Sequence, residues 1–213
     1  MNELRIGRFT LYYGWVVVAL AILLYAVVLG TTASGFSLFV LPVSEEYRLS
    51  RATMNTMFAI FTVGSAAMAP IIGRLLDRYP ARRIVVFSAL LLGGGLATLG
   101  LSHSVWLSVV MLALVLPAGA DGAAVLSMSV LVAKWFPANR SRALAASAVG
   151  LSLGGMVIPP LSAVAIQSLG WRTTLVSTGI AVALLFLAVV RVLRERPDPD
   201  EPAPSRPERD AAH

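Results

Sequence analysis

The chain has no cysteine, a single lysine at Lys134, and two histidines, His103 and His213; only 13% of its 213 residues are charged. Without cysteine there is no disulfide framework and no thiolate metal site. The two histidines stand far apart, which leaves no zinc-ligand spacing. No phosphate-binding glycine loop and no soluble stretch long enough for a catalytic domain is present either. A soluble domain carries about 25% charged residues, so roughly half of the usual charge is missing here. The net charge of +6 does not signal nucleic acid, because the charges fall in the gaps between apolar runs. No metal or cofactor is expected from these residues, and no catalytic role. Arginine outnumbers lysine sixteen to one, a bias of GC-rich bacterial genomes.

What is present is oil: 57% of the residues are hydrophobic. A bilayer core about 30 Å thick needs roughly 20 apolar residues of helix to cross it. Six runs reach or approach that length: Gly14 to Phe39, Ala52 to Ile72, Ile84 to Leu101, Trp106 to Val132, Ala143 to Gln167 and Trp171 to Val192. The third is short and carries Gly93-Gly94-Gly95, which blurs its ends. The first exceeds a signal-peptide apolar region and has no convincing cleavage site, so it is expected to be retained. Residues 1–193 therefore read as one six-helix bundle. Residues 194–213, rich in Pro, Asp, Glu and Arg, read as a disordered charged tail.

Basic residues in the short loops set the orientation. Fourteen lie on one side: Arg5 and Arg8; Arg74, Arg78, Arg82 and Arg83; Lys134, Arg140 and Arg142; Arg191, Arg194, Arg196, Arg206 and Arg209. Only Arg48, Arg51 and Arg172 lie on the other. Both termini are thus expected in the cytoplasm, in a multi-pass protein of the inner (plasma) membrane. Trp15, Trp106, Trp135 and Trp171 all fall near span ends, where amphipathic rings prefer the interface.

Between the second and third spans stands Gly73-Arg-Leu-Leu-Asp77-Arg78-Tyr-Pro80-Ala-Arg82-Arg83. This pattern resembles the signature loop between helices two and three of the major facilitator superfamily, with Pro80 in place of its second glycine. Further pieces follow in order: Lys134-Trp-Phe-Pro137, Asn139-Arg140-Ser-Arg142, Gly154-Gly155 with Pro159-Pro160, and Gly170-Trp171-Arg172. Together they are similar to the monocarboxylate and oxalate/formate branches. The resemblance implies an all-α membrane fold in which six helices form two three-helix inverted repeats, one half of a twelve-helix carrier. It implies secondary transport of a small solute, such as a monocarboxylate, by alternating access, with proton symport left open. It makes Gly73, Asp77, Arg78, Arg82 and Arg83 a cytoplasmic gate loop. The implied partners are the lipid bilayer, a small-molecule substrate and a second six-helix bundle, supplied by another copy or a separately encoded half.

Asp121 is the sole ionisable residue at the centre of a span. Placing a charge there costs about 2.5–3.5 kcal/mol on insertion scales, so a functional role is the default hypothesis. It sits in Pro117-Ala-Gly119-Ala-Asp121-Gly122. One reading makes it a proton carrier on the pathway. The other makes it structural, neutral or hydrogen-bonded to backbone freed near Pro117. Tyr25 lies mid-span in the first helix, with Thr32 seven residues on along the same face. Tyr25 is a candidate donor to a substrate carboxylate, or a packed aromatic. Ser127, Ser129, Ser147 and Ser152 are weaker candidates, because serines are routine packing residues in membranes. Gly150 and Gly154 have small-xxx-small spacing, read first as internal packing.

Two rival readings arise from the same residues. Gly150-Leu-Ser152-Leu-Gly154 matches the Gly-x-Ser-x-Gly of intramembrane serine proteases, but the sixth span offers no histidine base. Asp121 has no second intramembrane aspartate, which removes an aspartyl protease. A different rival is a truncated or non-transporting bundle that acts as an assembly or regulatory partner.

Overall fold

The computed structural model describes residues 13–193. They form six long helices: α1 (Tyr13–Tyr47), α2 (Arg51–Arg78), α3 (Ala81–Leu101), α4 (Val105–Trp135), α5 (Arg140–Leu169) and α6 (Trp171–Val192). At about 1.5 Å per residue each is long enough to cross a bilayer. Among the described residues there is no strand. Ser50 caps α2 by accepting from the Thr53 amide at 3.1 Å. Arg48 ends α1 in the left-handed conformation (φ 52°), and Gly170 turns the chain into α6 at φ 80°.

The helices outrun the apolar runs that announce them. The first continues past Phe39 through Pro42 and Glu46 to Tyr47. The second continues past Ile72, so Asp77 and Arg78 belong to its last turn. Pro80, expected in a tight turn, is the N-cap of α3, and its carbonyl accepts from the Arg83 amide at 3.0 Å. The Gly93-Gly94-Gly95 run does not interrupt α3. Of the four tryptophans, Trp135 is not at an exposed boundary: it is fully buried, its ring 5.2 Å from that of Tyr13. The tail 194–213, with Arg194, Arg196, Arg206, Arg209 and His213, lies outside the described residues, as do Arg5 and Arg8.

Two helices carry π-helical turns: Gly30–Ser34 in α1, and Met111–Val115 and Asp121–Val125 in α4. Each such turn fits an extra residue and rotates the rest of its helix; turns of this kind frequently mark functional sites.

Glycines set the closest packing. A β-carbon on Gly154 would lie 2.1 Å from the Ala26 carbonyl oxygen, and one on Gly150 2.2 Å from that of Ile22. These two glycines seam α5 to α1. A β-carbon on Gly64 would lie 2.1 Å from the Ala113 carbonyl oxygen, which seams α2 to α4. Pro117 has no N–H to give to that carbonyl, four residues behind it. Gly93 and Gly179 bring α3 and α6 together in the same way, each facing the other's carbonyl. Exchanging the first three helices for the last three maps the α1–α5 seam onto the α4–α2 seam and α3–α6 onto itself. Two repeats of opposite orientation account for this pattern. The bundle covers α3 and α4 most fully, and leaves α2 and α5 largely uncovered.

Candidate functional site

Asp121 sits midway along α4, and Ser65 midway along α2. Gly64 lets the two helices touch, and the next side chain reaches across: Ser65 Oγ donates to Asp121 Oδ2 at 2.6 Å. Asp121 is 8% exposed. A hydroxyl has one proton, and this one goes to a carboxylate on another helix. The structure thus pairs Asp121 with a side chain on α2, not with backbone freed near Pro117.

The other hydroxyls behave differently. Thr32 Oγ1 donates to the Val28 carbonyl at 2.6 Å, from within the π-turn of α1. That turn breaks the simple seven-residue register between Tyr25 and Thr32. Ser127 Oγ donates to the Gly122 carbonyl at 2.5 Å, a five-residue reach across the turn that starts at Asp121. Ser147 Oγ donates to the Leu144 carbonyl at 2.8 Å. Ser129 Oγ donates to the Val125 carbonyl at 2.7 Å. Tyr25 is 5% exposed, and its hydroxyl lies 2.8 Å from Ser129 Oγ. The Tyr25 hydroxyl also lies 3.4 Å from the Val125 carbonyl, so it binds α1 to α4 through Ser129 and Val125. Ser152 is exposed on α5. Gly150 and Gly154 on either side face the backbone of α1, so this Gly-x-Ser-x-Gly is a packing seam with its serine on the opposite face.

The α2–α3 corner is solvent-facing. Asp77, Arg78, Arg82 and Arg83 are exposed. Gly73 has open space where a side chain would stand.

A salt bridge between Arg172 and Glu46 lies at the opposite end of the bundle. Arg172 Nη2 meets Glu46 Oε1 at 2.7 Å, and Nη1 donates to the Ser102 carbonyl at 2.8 Å and to that of Gly100 at 3.2 Å. Nη2 also reaches Tyr47 Oη at 3.0 Å and His103 Nδ1 at 3.3 Å. The guanidinium stacks 4.5 Å from the Trp171 ring, and Trp171 Nε1 donates to Glu46 Oε2 at 2.8 Å. Arg172 therefore clasps the ends of α1, α3 and α6. His103 serves there and not as a base for any serine. Among the described residues no cluster of histidine, aspartate or glutamate can hold a metal ion.

Sequence reasoning missed Ser65. The signal for it was faint: a Gly-Ser pair at the midpoint of the second span, level with the mid-span aspartate of the fourth.

Six apolar helices, packed as two inverted repeats around a mid-span carboxylate, define a multi-pass membrane protein of the carrier type. The family model of the Major Facilitator Superfamily matches residues 7–212, and the chain belongs to that family. It is 27% identical over 197 residues to the oxalate:formate antiporter of Oxalobacter formigenes, covering 91% of this chain and 46% of that protein. It is 22% identical over 166 residues to YcxA, an uncharacterized MFS-type transporter of Bacillus subtilis (strain 168), covering 78% of this chain and 41% of that protein. A probable sulfoacetate transporter, SauU, of Cupriavidus necator is 26% identical over 157 residues, covering 73% of this chain and 36% of that protein. The chain spans less than half the length of these curated relatives.

Proposed function

We propose that this chain is one six-helix bundle of a carrier for a small organic anion, coupled to protons and working by alternating access with a second bundle. The carrying observation is the Ser65–Asp121 pair at mid-depth. A carboxylate at that depth is costly to insert, which makes a functional role the default reading. Ionised, it repels an anion nearby; protonated, it does not. Passage of an anion therefore favours the protonated state, which is the logic of symport. The relatives named for oxalate and formate and for sulfoacetate support an organic anion as solute.

The uncovered α2 and α5 favour a second bundle against them, because rocking of one bundle on another is how such carriers alternate access. That bundle is a second copy or a separately encoded half. The α2–α3 corner, with Asp77 and its arginines, is the inner gate, and both termini lie in the cytoplasm. Nothing in this scheme calls for enzymatic chemistry.

Uptake of labelled oxalate and formate into proteoliposomes tests the proposal, with and without an inward proton gradient, for the wild type and Asp121→Asn. Gradient-stimulated uptake that Asp121→Asn renders insensitive to pH is expected. Equal stimulation in both proteins removes the proton role. Uptake of neither anion, in a preparation that is dimeric in mild detergent, favours the non-transporting bundle.

A further inference from the structure

The outer part of α1 is pinned at its ends and only partly buried between them. Over Tyr13–Leu29 α1 buries residue after residue, but beyond the π-turn, over Gly35–Tyr47, only Gly35 is buried. At the far end, Glu46 and Tyr47 are pinned by Arg172, Trp171 and the Ser102 carbonyl. Between the ends Phe36, Phe39 and Val43 are only partly buried against the core, and with residues of α2, α3, α4 and α6 they line a cavity of about 100 Å³ inside the single bundle. Neither Asp121 nor Ser65 lines it.

The chemistry of its wall is one-sided. Phe36, Met54, Met57 and Phe61 are among its apolar liners, and no charged side chain lines it. Five polar side chains do, and each has its proton committed. Thr31 donates to the Val27 carbonyl at 2.7 Å and Thr32 to that of Val28 at 2.6 Å. Ser108 donates to the Ser104 carbonyl at 3.1 Å and Tyr47 to that of Ser102 at 3.2 Å. The Trp171 indole donates to Glu46. Water entering such a space finds few partners, and apolar cavities of roughly 150 Å³ stay dry and take up compact hydrocarbons. An organic anion finds no free donor. Methionine walls adapt to whatever apolar shape enters.

An apolar track leads in from the surface. Phe58 is exposed on α2; its ring lies 5.2 Å from that of Phe36 and 6.4 Å from that of Phe61, both of which line the cavity. For helices of this length the surrounding solvent is the lipid chain itself. We infer that this cavity is a lipid site, occupied by the end of a bilayer acyl chain that enters past Phe58 and wedges between the outer part of α1 and the rest of the bundle. The site is separate from the solute path proposed above, and its entrance requires that Phe58 stay at the lipid edge of the α2 face offered to a second bundle.

Photolabelling tests it. The full chain is placed in nanodiscs of phosphatidylcholine with a diazirine near the end of one acyl chain, irradiated, and mapped by mass spectrometry. Adducts are expected at Met54, Met57 and Phe61, alongside ordinary surface adducts at the exposed Phe87 and Leu184. Filling the cavity with Leu112→Phe or Met57→Trp should cut the cavity adducts roughly tenfold and leave the surface ones unchanged. Two filling variants guard against one that fails to fold. Surface adducts alone in the wild type, or cavity adducts indifferent to both variants, overturn the inference. A second arm adds a free aryl diazirine to protein in detergent. Cavity labelling by that probe, with none by the lipid, replaces the lipid with a small apolar solute and equally overturns the assignment.

Discussion

Ser65 and Asp121 meet 2.6 Å apart at the midpoints of α2 and α4, and theirs is a side-chain bond between two helices at the depth where water is scarcest. The approach depends on Gly64 lying against the carbonyl that Pro117 leaves without its helical donor. Proline on one helix and glycine on the other thus set the geometry of the carboxylate.

A double-mutant cycle of Ser65→Ala and Asp121→Ala, read by thermal unfolding in mild detergent, should show coupling. Interhelical hydrogen bonds in membranes average about 0.6 kcal/mol and reach about 1.7, and a carboxylate acceptor places this one toward the upper figure. Additive single effects would mean that the bond contributes nothing.

Gly154→Ala should destabilise the bundle. The new methyl meets the Ala26 carbonyl at 2.1 Å, and backbone cannot step aside, so overpacking of about 1–3 kcal/mol is expected. Gly73→Ala is the matched control, with nothing within 4 Å; alanine's better helix propensity, up to about 1 kcal/mol, should leave it neutral or slightly stabilised. Comparing the two melting temperatures decides the matter, and a reversed order would contradict the α1–α5 seam.

Arg172→Ala should lower the melting temperature more than Glu46→Gln. Removing the guanidinium strips donors from the Gly100 and Ser102 carbonyls together with the stacking on Trp171. Changing Glu46 alters one half-exposed ion pair, and exposed pairs contribute little. Equal losses would show that the ion pair, not the carbonyl contacts, carries the clasp.

The cysteine-free chain is a ready background for topology mapping. His103→Cys should react with a membrane-impermeant maleimide in intact cells, and Ala138→Cys only after permeabilisation. Both positions are accessible in the fold. The opposite result would place the termini outside.

Most of the helical framework was readable because crossing a bilayer demands long apolar runs, and such runs are visible one residue at a time. The helix ends were not. Residues 40–47 include Pro42, Glu45 and Glu46, which argue against helix locally. They are helical here with Glu46 and Tyr47 fastened to residues more than fifty positions away. The π-turns were equally hidden, since they answer to packing and not to composition. Asp121 stood out as a lone charge in oil, whereas Ser65 did not, because a serine in a membrane helix usually bonds its own backbone. The small-residue pair in α5 makes the internal contact that its spacing predicts. Trp135 looks like an interface residue by position, but it is buried, with Tyr13 at the start of α1 against its ring.

Where Gly150 and Gly154 rest on Ile22 and Ala26, peptide presses on peptide with no intervening side chain to flex or slide. The Tyr13–Leu29 limb of α1 and α5 must then travel as a single slab, like two planks glued edge to edge. Any bending left to the first helix falls beyond Gly30, in the limb whose side chains are only partly buried.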